Sequence, residues 1–430
     1  MLKHTWLPAS TPDANNAIKI VKAEGSYLIL DNGQKIYDAI SSWWCKPLGH
    51  RHNLVNQAII SQLESFEHHI PANAYNDQIE KLSYQLCNIF DTMDKVMYAS
   101  DGSSAVEMAM KLSYEARLLQ GHALRSKFLS LNNAYHGETI FTLSVCGINS
   151  YKAAYTPYLY NNYFIENIPY VSGRFDPLWH HCGINMSELE QFIADKAQEV
   201  TALIIEPIVQ GAAGLKIISR DFLINLVNLA KKYDIHVISD EIMVGLGRLD
   251  CLSVTKDILD YEPEFIYFAK NLTAGSIPMS ATIIKNTVSD LFRNNSKLFA
   301  HSHTHSCNAL AASVANNYLE FLITHIIPKA HQKVGLNKIA HHEVVLTQIF
   351  NDLAAKFSFI QNPRVISSIA ACELNLKPEA LSQIFNIGLN NSIYLRPIGN
   401  TLYVMPPLYN LQHDLIEIKD KLQSTLGQIR

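Results

Sequence analysis

Residues 233–250 read YDIHVISDEIMVGLGRLD, and residues 264–275 read EFIYFAKNLTAG. In each stretch a short apolar run leads to an ionisable residue, Asp240 in the first and Lys270 in the second. Another apolar run, TALIIEPI at 201–208, precedes them, and residues 221–232 in between have helical spacing. This strand–helix–strand order predicts parallel strands in an α/β fold. Asp240 and Lys270 are then expected at the carboxyl edge of the sheet, where open α/β sheets bind ligands.

The chemistry of this pair suits pyridoxal phosphate as a cofactor. A lysine amine can form a Schiff base with the aldehyde, and a carboxylate can keep the pyridine nitrogen protonated so that the ring draws electrons from the substrate carbon. Either residue alone could equally be a solvated loop lysine or an ordinary acid at a strand end. The flanking strands favour the cofactor. Glu206 ends the preceding run and is predicted either to support the site or to contact the cofactor.

A phosphate site is predicted where residues 98–104, YASDGSS, run into a stretch with helical spacing. Gly102 allows close approach of the backbone to an anion, and Ser103 and Ser104 offer hydroxyls and amides at the helix start, where the dipole favours negative charge. In isolation these residues are better explained as a helix N-cap. Beside Asp240 and Lys270, a phosphate cradle is favoured.

The segment 133–139, NAYHGET, adds an aromatic residue and an imidazole. Tyr135 could stack on a flat ring while offering its hydroxyl, which core packing does not require. His136 is open between a hydrogen-bonded structural residue and an acid–base group.

Taken together, these motifs resemble the class III, fold-type I aminotransferases. The class-level similarity lies in 204–214 (IIEPIVQGAAG), 237–248 (VISDEIMVGLGR) and 268–275 (FAKNLTAG). A narrower similarity, to the 7,8-diaminopelargonate synthases of biotin synthesis, lies in SSWW (41–44), DGSSAVEMAMK (101–111), AYHGET (134–139) with SVCG (144–147), and LRPIGNTLYVMPP (395–407). The resemblance covers nearly the whole chain.

The family's architecture is a large domain with a mostly parallel central sheet and a smaller α/β domain built from both termini. Applied to this chain, the resemblance implies a large cofactor-binding domain at 52–324 and a small domain at 1–51 and 325–430. In the small domain, residues 31–33 (Asp-Asn-Gly) predict a hairpin turn.

The resemblance also implies roles for matching residues. Lys270 would carry the Schiff base and move protons, Asp240 would pair with the pyridinium nitrogen, and Tyr135 would cover the ring. The phosphate would be held by Gly102 and Ser103, and by Thr304 lent from the second subunit of a homodimer. The substrate pocket would be formed by Trp43, Trp44, Arg396 and Arg248.

The residue types of that pocket suit an amphipathic substrate. Adjacent tryptophans make a rigid apolar wall that could face a nine-carbon chain or a cationic sulfonium, although core packing explains such a pair equally well. Arg396 could be a surface arginine, but a guanidinium can bind a carboxylate with two hydrogen bonds. Arg248 is the second candidate for the same carboxylate.

Three departures from the family pattern bear on the predicted contacts. Ala9 stands where a substrate-contacting tyrosine is usual, and Glu138 replaces an aspartate. The segment HSHTHSCNAL (301–310) lacks the usual glycine, proline and phenylalanine around Thr304. These changes put the amino donor and the threonine contact in question.

Residues 301–310 could also be interpreted as a metal site, but we do not favour that interpretation. If it were extended, His301, His303 and His305 would lie on one face, and imidazoles with the thiolate of Cys307 would suit zinc. No carboxylate lies in the run to orient a ligand. We therefore predict no bound metal.

Composition restricts the remaining classes of function. The chain has 430 residues, 48% of them hydrophobic, with a formal net charge of −4 and no basic run, which argues against nucleic acid as a partner. Its seven cysteines form no CxxC pair, which favours a reduced, cytoplasmic protein. Residues 1–16 are polar and interrupted by prolines, unlike a signal peptide, and no apolar run reaches membrane-spanning length.

We therefore predict a transaminase that converts 8-amino-7-oxononanoate to 7,8-diaminononanoate, with S-adenosylmethionine as the favoured amino donor and lysine as the alternative. Another ω-aminotransferase, of the ornithine, 4-aminobutyrate or β-alanine type, is the nearest enzymatic alternative. It is disfavoured by SSWW and LRPIG together. A regulator that binds pyridoxal phosphate without turnover is the non-enzymatic alternative.

Overall fold

The computed structural model describes residues 4–12, 17–327, 338–408 and 411–429. Parts of the predicted small domain and of the polar 1–16 segment therefore lie outside the described residues: 1–3, 13–16, 328–337, 409–410 and 430.

The strands of the described chain follow one another in this order: β1 (Ile20–Glu24), β2 (Tyr27–Leu30), β3 (Lys35–Asp38), β4 (Met93–Ala99), β5 (Lys127–Leu131), β6 (Tyr163–Ile165), β7 (Tyr170–Val171), β8 (Val200–Ile205), β9 (Val209–Gln210), β10 (Lys216–Ile218), β11 (His236–Asp240), β12 (Phe265–Phe268), β13 (Ser280–Lys285), β14 (Ile360–Ile366), β15 (Ile369–Leu374), β16 (Ile393–Tyr394) and β17 (Thr401–Val404).

The helices between them are α1 (Ser41–Trp44), α2 (Asn53–Leu63), α3 (Asp77–Cys87), α4 (Gly102–Leu119), α5 (Ile140–Leu143), α6 (Asn149–Lys152), α7 (Met186–Lys196), α8 (Arg220–Lys232), α9 (Val254–Asp257), α10 (Asn286–Asn294), α11 (Ala309–Phe321), α12 (Lys338–Lys356), α13 (Pro378–Asn390) and α14 (Leu411–Leu426). Short 3₁₀ turns occupy Ala153–Tyr158, Pro177–Trp179 and Lys270–Thr273, and a π turn follows α11 at Leu322–Ile326.

The largest sheet has seven strands in the order β4-β13-β12-β11-β8-β5-β6. Strands β12, β11, β8, β5 and β6 pair in parallel, and β13 runs antiparallel to both of its neighbours. The predicted strand–helix–strand unit is confirmed as β8, α8 and β11. Because β8 and β11 are parallel, Glu206 and Asp240 emerge at the same edge of the sheet.

Helices cover this sheet because each has an apolar face. In α8 the buried positions Phe222, Leu223, Leu226, Val227 and Ala230 recur at helical spacing, and Ser219 caps its start by accepting from the amide of Phe222. All six residues of β8 are buried, as expected of a strand covered on both faces.

A second sheet joins the two ends of the chain. Its strand order is β1-β2-β3-β16, with β16 parallel to β3. The predicted hairpin is confirmed: β2 and β3 are antiparallel, and Gly33 has a φ of +83°, which glycine adopts without steric cost. Smaller sheets have the orders β14-β15-β17 and β7-β10-β9. The division at residues 52 and 324 stays a prediction.

Two further properties bear on function. The seven cysteines are all described, and each is a free thiol. Within the described ranges, no helix combines the length and the apolar character needed to cross a membrane.

Candidate active site

A cavity of about 490 Å³ lies at the carboxyl edge of the seven-stranded sheet. This volume is typical of small-molecule sites. Segments that follow β4, β5, β8, β11 and β12 reach it because these strands all point the same way. The cavity brings together six of the predicted site residues: Trp44, Gly102, Ser103, Tyr135, Asp240 and Lys270.

Asp240 sits at the end of β11 and is only 5% exposed. Its Oδ2 accepts a hydrogen bond of 2.8 Å from Nδ1 of His136, and its Oδ1 accepts from the amide of Ile242 at 3.2 Å. His136 is itself buried, and its Nε2 has no hydrogen-bond partner among the described residues. Of the two interpretations of His136, the geometry favours the structural one, in which it orients the Asp240 carboxylate.

Glu206 supports the backbone of the site. Its Oε2 accepts from the amide of Tyr135 at 2.8 Å, and its Oε1 accepts from the amide of Gly211 at 2.9 Å. Burial raises the pKa of Glu206 to about 8, and the negative charge of Asp240 acts in the same direction. These contacts favour structural support over direct contact with a cofactor.

Lys270 begins the 3₁₀ turn that directly follows β12 and Ala269. Burial lowers the pKa of its amine, while the charges of Asp240 and Glu206 oppose that effect. A lowered pKa increases the fraction of uncharged amine, which is the nucleophilic and proton-accepting form. The Nζ atom lies 5.2 Å from the ring centre of Trp44.

The start of α4 forms the predicted anion-binding feature. Asp101 caps the helix by accepting from the amide and the hydroxyl of Ser104, so the N-cap interpretation also holds. Gly102 and Ser103 face the cavity. Gly137 packs closely here: it has a φ of +126°, and a Cβ at this position would lie 2.3 Å from Oγ of Ser103. The helix start is therefore shaped by tight backbone contacts.

Tyr135 lies on the cavity wall with its hydroxyl donating to Oε1 of Glu138 at 2.9 Å. Its ring meets that of Tyr151 edge-on, with 5.2 Å between the centres. Burial and the Glu138 carboxylate both raise the pKa of Tyr135, which keeps its hydroxyl protonated. Glu138 is thus linked to the cavity through Tyr135.

Of the adjacent tryptophans Trp43 and Trp44, only Trp44 lines the cavity. Trp44 is 6% exposed and lines the cavity, whereas Trp43 is 47% exposed. Both tryptophans lie in α1, in which Ser41, Ser42, Trp43 and Trp44 all have positive φ angles of 46–74°. Each non-glycine residue in this left-handed region costs roughly 1–2 kcal/mol.

The two predicted arginines have different environments. The guanidinium of Arg396 lies 4.4 Å from the ring centre of Trp43, beside that exposed side chain and outside the cavity lining. Arg248 is fully buried, donating to the carbonyl of Pro406 at 2.7 Å and to that of Trp44 at 3.5 Å. These contacts favour a structural role for Arg248, and direct contact of either arginine with a substrate stays a prediction.

Thr304 is exposed and does not line the cavity of its own chain. The metal interpretation required an extended segment with His301, His303 and His305 on one face. Residues 304–307 instead form a turn. Nε2 of His301 contacts Nε2 of His303 at 2.9 Å, while His305 packs 5.1 Å from the ring of His68. Across the part of the chain that the structure describes, no three His, Cys, Asp or Glu side chains are grouped as a metal site requires.

Several cavity residues escaped the sequence analysis. Cys45 directly follows Trp44, and Ile242 and Met243 lie two and three positions after Asp240, so proximity in sequence could have suggested them. Gly275 ends the motif FAKNLTAG, but only the structure shows why it is glycine: its φ is +66°, and a Cβ there would lie 2.3 Å from the carbonyl oxygen of Cys45. Ala9, which stands where the family usually has a tyrosine, is exposed and lies outside the cavity lining.

Comparison of the sequence with known proteins identifies the family of this chain. The family model described as aminotransferase class-III matches residues 9–426. The adenosylmethionine-8-amino-7-oxononanoate aminotransferase of Helicobacter pylori is 32% identical over 98% of this chain and 97% of its own length. The enzyme of that name from Synechococcus elongatus is 31% identical over 99% of both chains.

Solved structures of two transaminases are similar to this chain in fold. An amine transaminase from an uncultivated Pseudomonas species, in its PLP-bound form, has a TM-score of 0.89 and 25% identity over 100% of both chains. The adenosylmethionine-8-amino-7-oxononanoate aminotransferase of Methanocaldococcus jannaschii has a TM-score of 0.88 and 26% identity, covering 99% of this chain and 97% of that one. These similarities extend over the whole of the described fold.

Proposed function

Since this chain belongs to the class-III aminotransferases, we propose that it uses pyridoxal phosphate to transfer an amino group to 8-amino-7-oxononanoate, giving 7,8-diaminononanoate. One observation carries the proposal: Lys270, Asp240 and the start of α4 share one cavity. The names of the relatives from three organisms support the choice of acceptor. The favoured donor is S-adenosylmethionine.

The residues present fit the cofactor. Asp240 offers a buried carboxylate oriented by His136, as a protonated pyridine nitrogen requires. Gly102 and Ser103 present the positive end of an 18-residue helix, which suits a phosphate. Tyr135 supplies an aromatic surface, and Lys270 supplies an amine with a lowered pKa. When bound, pyridoxal phosphate would supply an aldehyde for the amino nitrogen and an electron-withdrawing ring.

Each of these residues would have a separate role in amino transfer. Nζ of Lys270 would hold the cofactor until the amine of the donor takes its place, and the freed amine would then take the proton from the donor's α-carbon and return it during transfer. The Asp240 carboxylate would stabilise positive charge on the ring nitrogen, and His136 would keep that carboxylate in place. Trp44, Ile242 and Met243 give the cavity an apolar wall that suits a hydrocarbon chain and excludes water.

The proposal includes a homodimer. Thr304 is exposed and lies outside its own cavity, and this supports a role at the phosphate of a second subunit. A reduced, cytoplasmic setting is also proposed, and the seven free thiols are in keeping with it.

Product identification tests the acceptor and the donor together. We expect the protein, loaded with pyridoxal phosphate, to form 7,8-diaminononanoate from 8-amino-7-oxononanoate when S-adenosylmethionine is supplied, as measured by mass spectrometry. Turnover with lysine and none with S-adenosylmethionine would identify lysine as the donor. Both donors are tested because Ala9 and Glu138 depart from the family pattern. Transfer only to other keto or aldehyde acceptors would favour a different ω-aminotransferase. Cofactor binding with no turnover for any pair would support a regulator.

We expect Arg396→Ala to weaken use of the keto acid far more than use of the donor. Removing a charged partner of a buried carboxylate typically costs about 2–5 kcal/mol, and the lower figure is already roughly thirtyfold in affinity. Steady-state kinetics with each substrate varied would measure this. Arg293→Ala serves as the control, since that exposed arginine pairs with Asp94 and Asp290, away from the cavity. Unchanged acceptor kinetics would place the carboxylate elsewhere and make Arg248 the next candidate.

A further inference from the structure

The turn α1 has a backbone that its sequence does not favour. Four consecutive residues, Ser41 to Trp44, have φ angles of 47°, 46°, 70° and 74°, and none of them is glycine. Such runs are rare because the Cβ of an L-residue crowds the following carbonyl in this conformation. Strain of this kind persists only where surrounding contacts hold it in place, and it concentrates at functional sites.

The carboxylate of Asp38 holds this turn. Its Oδ1 accepts from the amide of Ser42 at 3.1 Å, and its Oδ2 accepts from the hydroxyl of the same residue at 2.7 Å. Nε2 of His50 donates to Oδ2 at 2.9 Å from the other side. Asp38 is 1% exposed, so water does not compete for these hydrogen bonds. The carboxylate therefore binds the strained residue through its backbone and its side chain at once.

The left-handed path decides where each tryptophan points. Trp44 turns inward, lines the cavity and lies 5.2 Å from Nζ of Lys270. Trp43 turns outward and lies 4.4 Å from the guanidinium of Arg396. A relaxed backbone at 41–44 would change both directions together, since the two residues share the turn.

Other contacts hold the ends of the turn and the carbonyl of Ser42, whereas Asp38 binds the amide and the hydroxyl of Ser42. The hydroxyl of Ser41 donates to the carbonyl of Met405 at 2.6 Å. After the turn, Gly275 gives the carbonyl of Cys45 room to approach. At Ser42 itself, the amide and the hydroxyl donate to Asp38, Sγ of Cys45 donates to the carbonyl at 3.1 Å, and Nε2 of His50 lies 3.4 Å from the hydroxyl.

We propose that Asp38 is a positioning residue for amino transfer, because it holds the left-handed turn that sets Trp44 beside Lys270 and Trp43 beside Arg396. The kinetic consequence rests on the function proposed above, whereas the structural consequence does not. Asp38 touches neither the cavity nor the reacting atoms and acts only through the two tryptophans.

The structural consequence can be measured without any substrate. The chain has four tryptophans, so Trp6→Phe, Trp43→Phe and Trp179→Phe together leave Trp44 as the single tryptophan, whose emission is excited selectively at wavelengths that tyrosine does not absorb. In this background we expect Asp38→Ala to make Trp44 fluorescence more accessible to acrylamide and to shift its emission to longer wavelength. Asp38→Asn, which keeps the side-chain volume, provides the same comparison if the alanine variant does not fold.

The kinetic consequence is measured in the otherwise natural chain loaded with pyridoxal phosphate. We expect Asp38→Ala to lower kcat/KM for the keto acid about tenfold to a hundredfold, mainly through KM, as small displacements of positioning groups do. Adding Ser42→Gly to that variant should recover much of the loss, because glycine adopts positive φ without strain. This rescue separates control of the turn from a general loss of stability.

Asp176→Ala is the matched control, since its carboxylate also accepts from the amide and the hydroxyl of one serine, Ser172, away from the cavity. It should leave Trp44 fluorescence and acceptor KM unchanged. Unchanged quenching of Trp44 in both Asp38 variants would overturn the inference, and so would a loss of acceptor use that Ser42→Gly does not relieve. If the wild-type protein shows no turnover, the proposed function fails while the fluorescence result still decides the role of Asp38.

Discussion

Lys270→Ala is expected to abolish amino transfer and the covalent attachment of pyridoxal phosphate. The proton-transfer role of Nζ alone is worth about 10²–10⁴-fold in rate, and loss of the covalent link adds to it. Among the described residues, Lys270 is the lysine that lines the cavity, so no other amine in this part of the chain is positioned to replace it. Borohydride reduction followed by peptide mass mapping would locate the attachment in the natural chain, and a turnover assay would follow the rate.

Lys285→Ala is a suitable comparison for this variant. Lys285 ends β13 of the same sheet and pairs with Glu264 at 3.1 Å, but it does not line the cavity. It should keep both attachment and turnover. If the reduced cofactor were found on a peptide other than the one carrying Lys270, or if Lys270→Ala kept its activity, the assignment of this lysine would be withdrawn.

Asp240→Asn is expected to leave the fold intact and to slow amino transfer by about 10²–10³-fold, the range seen when one preorganised electrostatic partner is removed. An amide has nearly the same shape as a carboxylate but cannot stabilise a protonated ring nitrogen. His136 should still find an acceptor in the amide oxygen, so the local structure should persist. Thermal unfolding, cofactor affinity and the single-turnover rate would separate folding, binding and chemistry.

Asp221→Asn tests whether any carboxylate-to-amide change has this effect. Asp221 lies at the start of α8, where it accepts from the amide of Cys182 at 2.9 Å, outside the cavity. Its rate should match that of the natural chain. Near-normal turnover of Asp240→Asn would remove this carboxylate from the mechanism, even if the cofactor were found in the cavity.

Local pattern was enough to predict the elements that carry the candidate site. Apolar runs and helical spacing gave β8, α8 and β11 in the right order, and the parallel arrangement followed from that order. The start of α4 was recognisable from its cap, and the hairpin at 31–33 from its turn residues. Such features depend on backbone hydrogen bonding and side-chain periodicity within a few residues, so a single sequence contains them.

Contacts between distant residues needed the tertiary structure. His136 reaches Asp240 from 104 positions away, and no spacing rule connects them. Sequence pattern ranked Arg396 ahead of Arg248 as a carboxylate ligand, but only the structure shows that Arg248 is buried against backbone carbonyls while Arg396 lies beside Trp43. Burial depends on what other segments pack around a residue, so it is settled only when the whole chain has folded.

By itself the sequence determined the α/β class, the strand ends that carry Asp240 and Lys270, and the helix start at Gly102. Only the tertiary structure decided that Trp44 enters the cavity while Trp43 leaves it. The physical reason is the left-handed backbone of residues 41–44, which these residue types disfavour on their own. Hydrogen bonds that Ser42 donates to Asp38, four residues earlier, supply the compensation. The carboxylate is itself held by His50, and that contact exists only once the segment after α1 has packed against the end of β3.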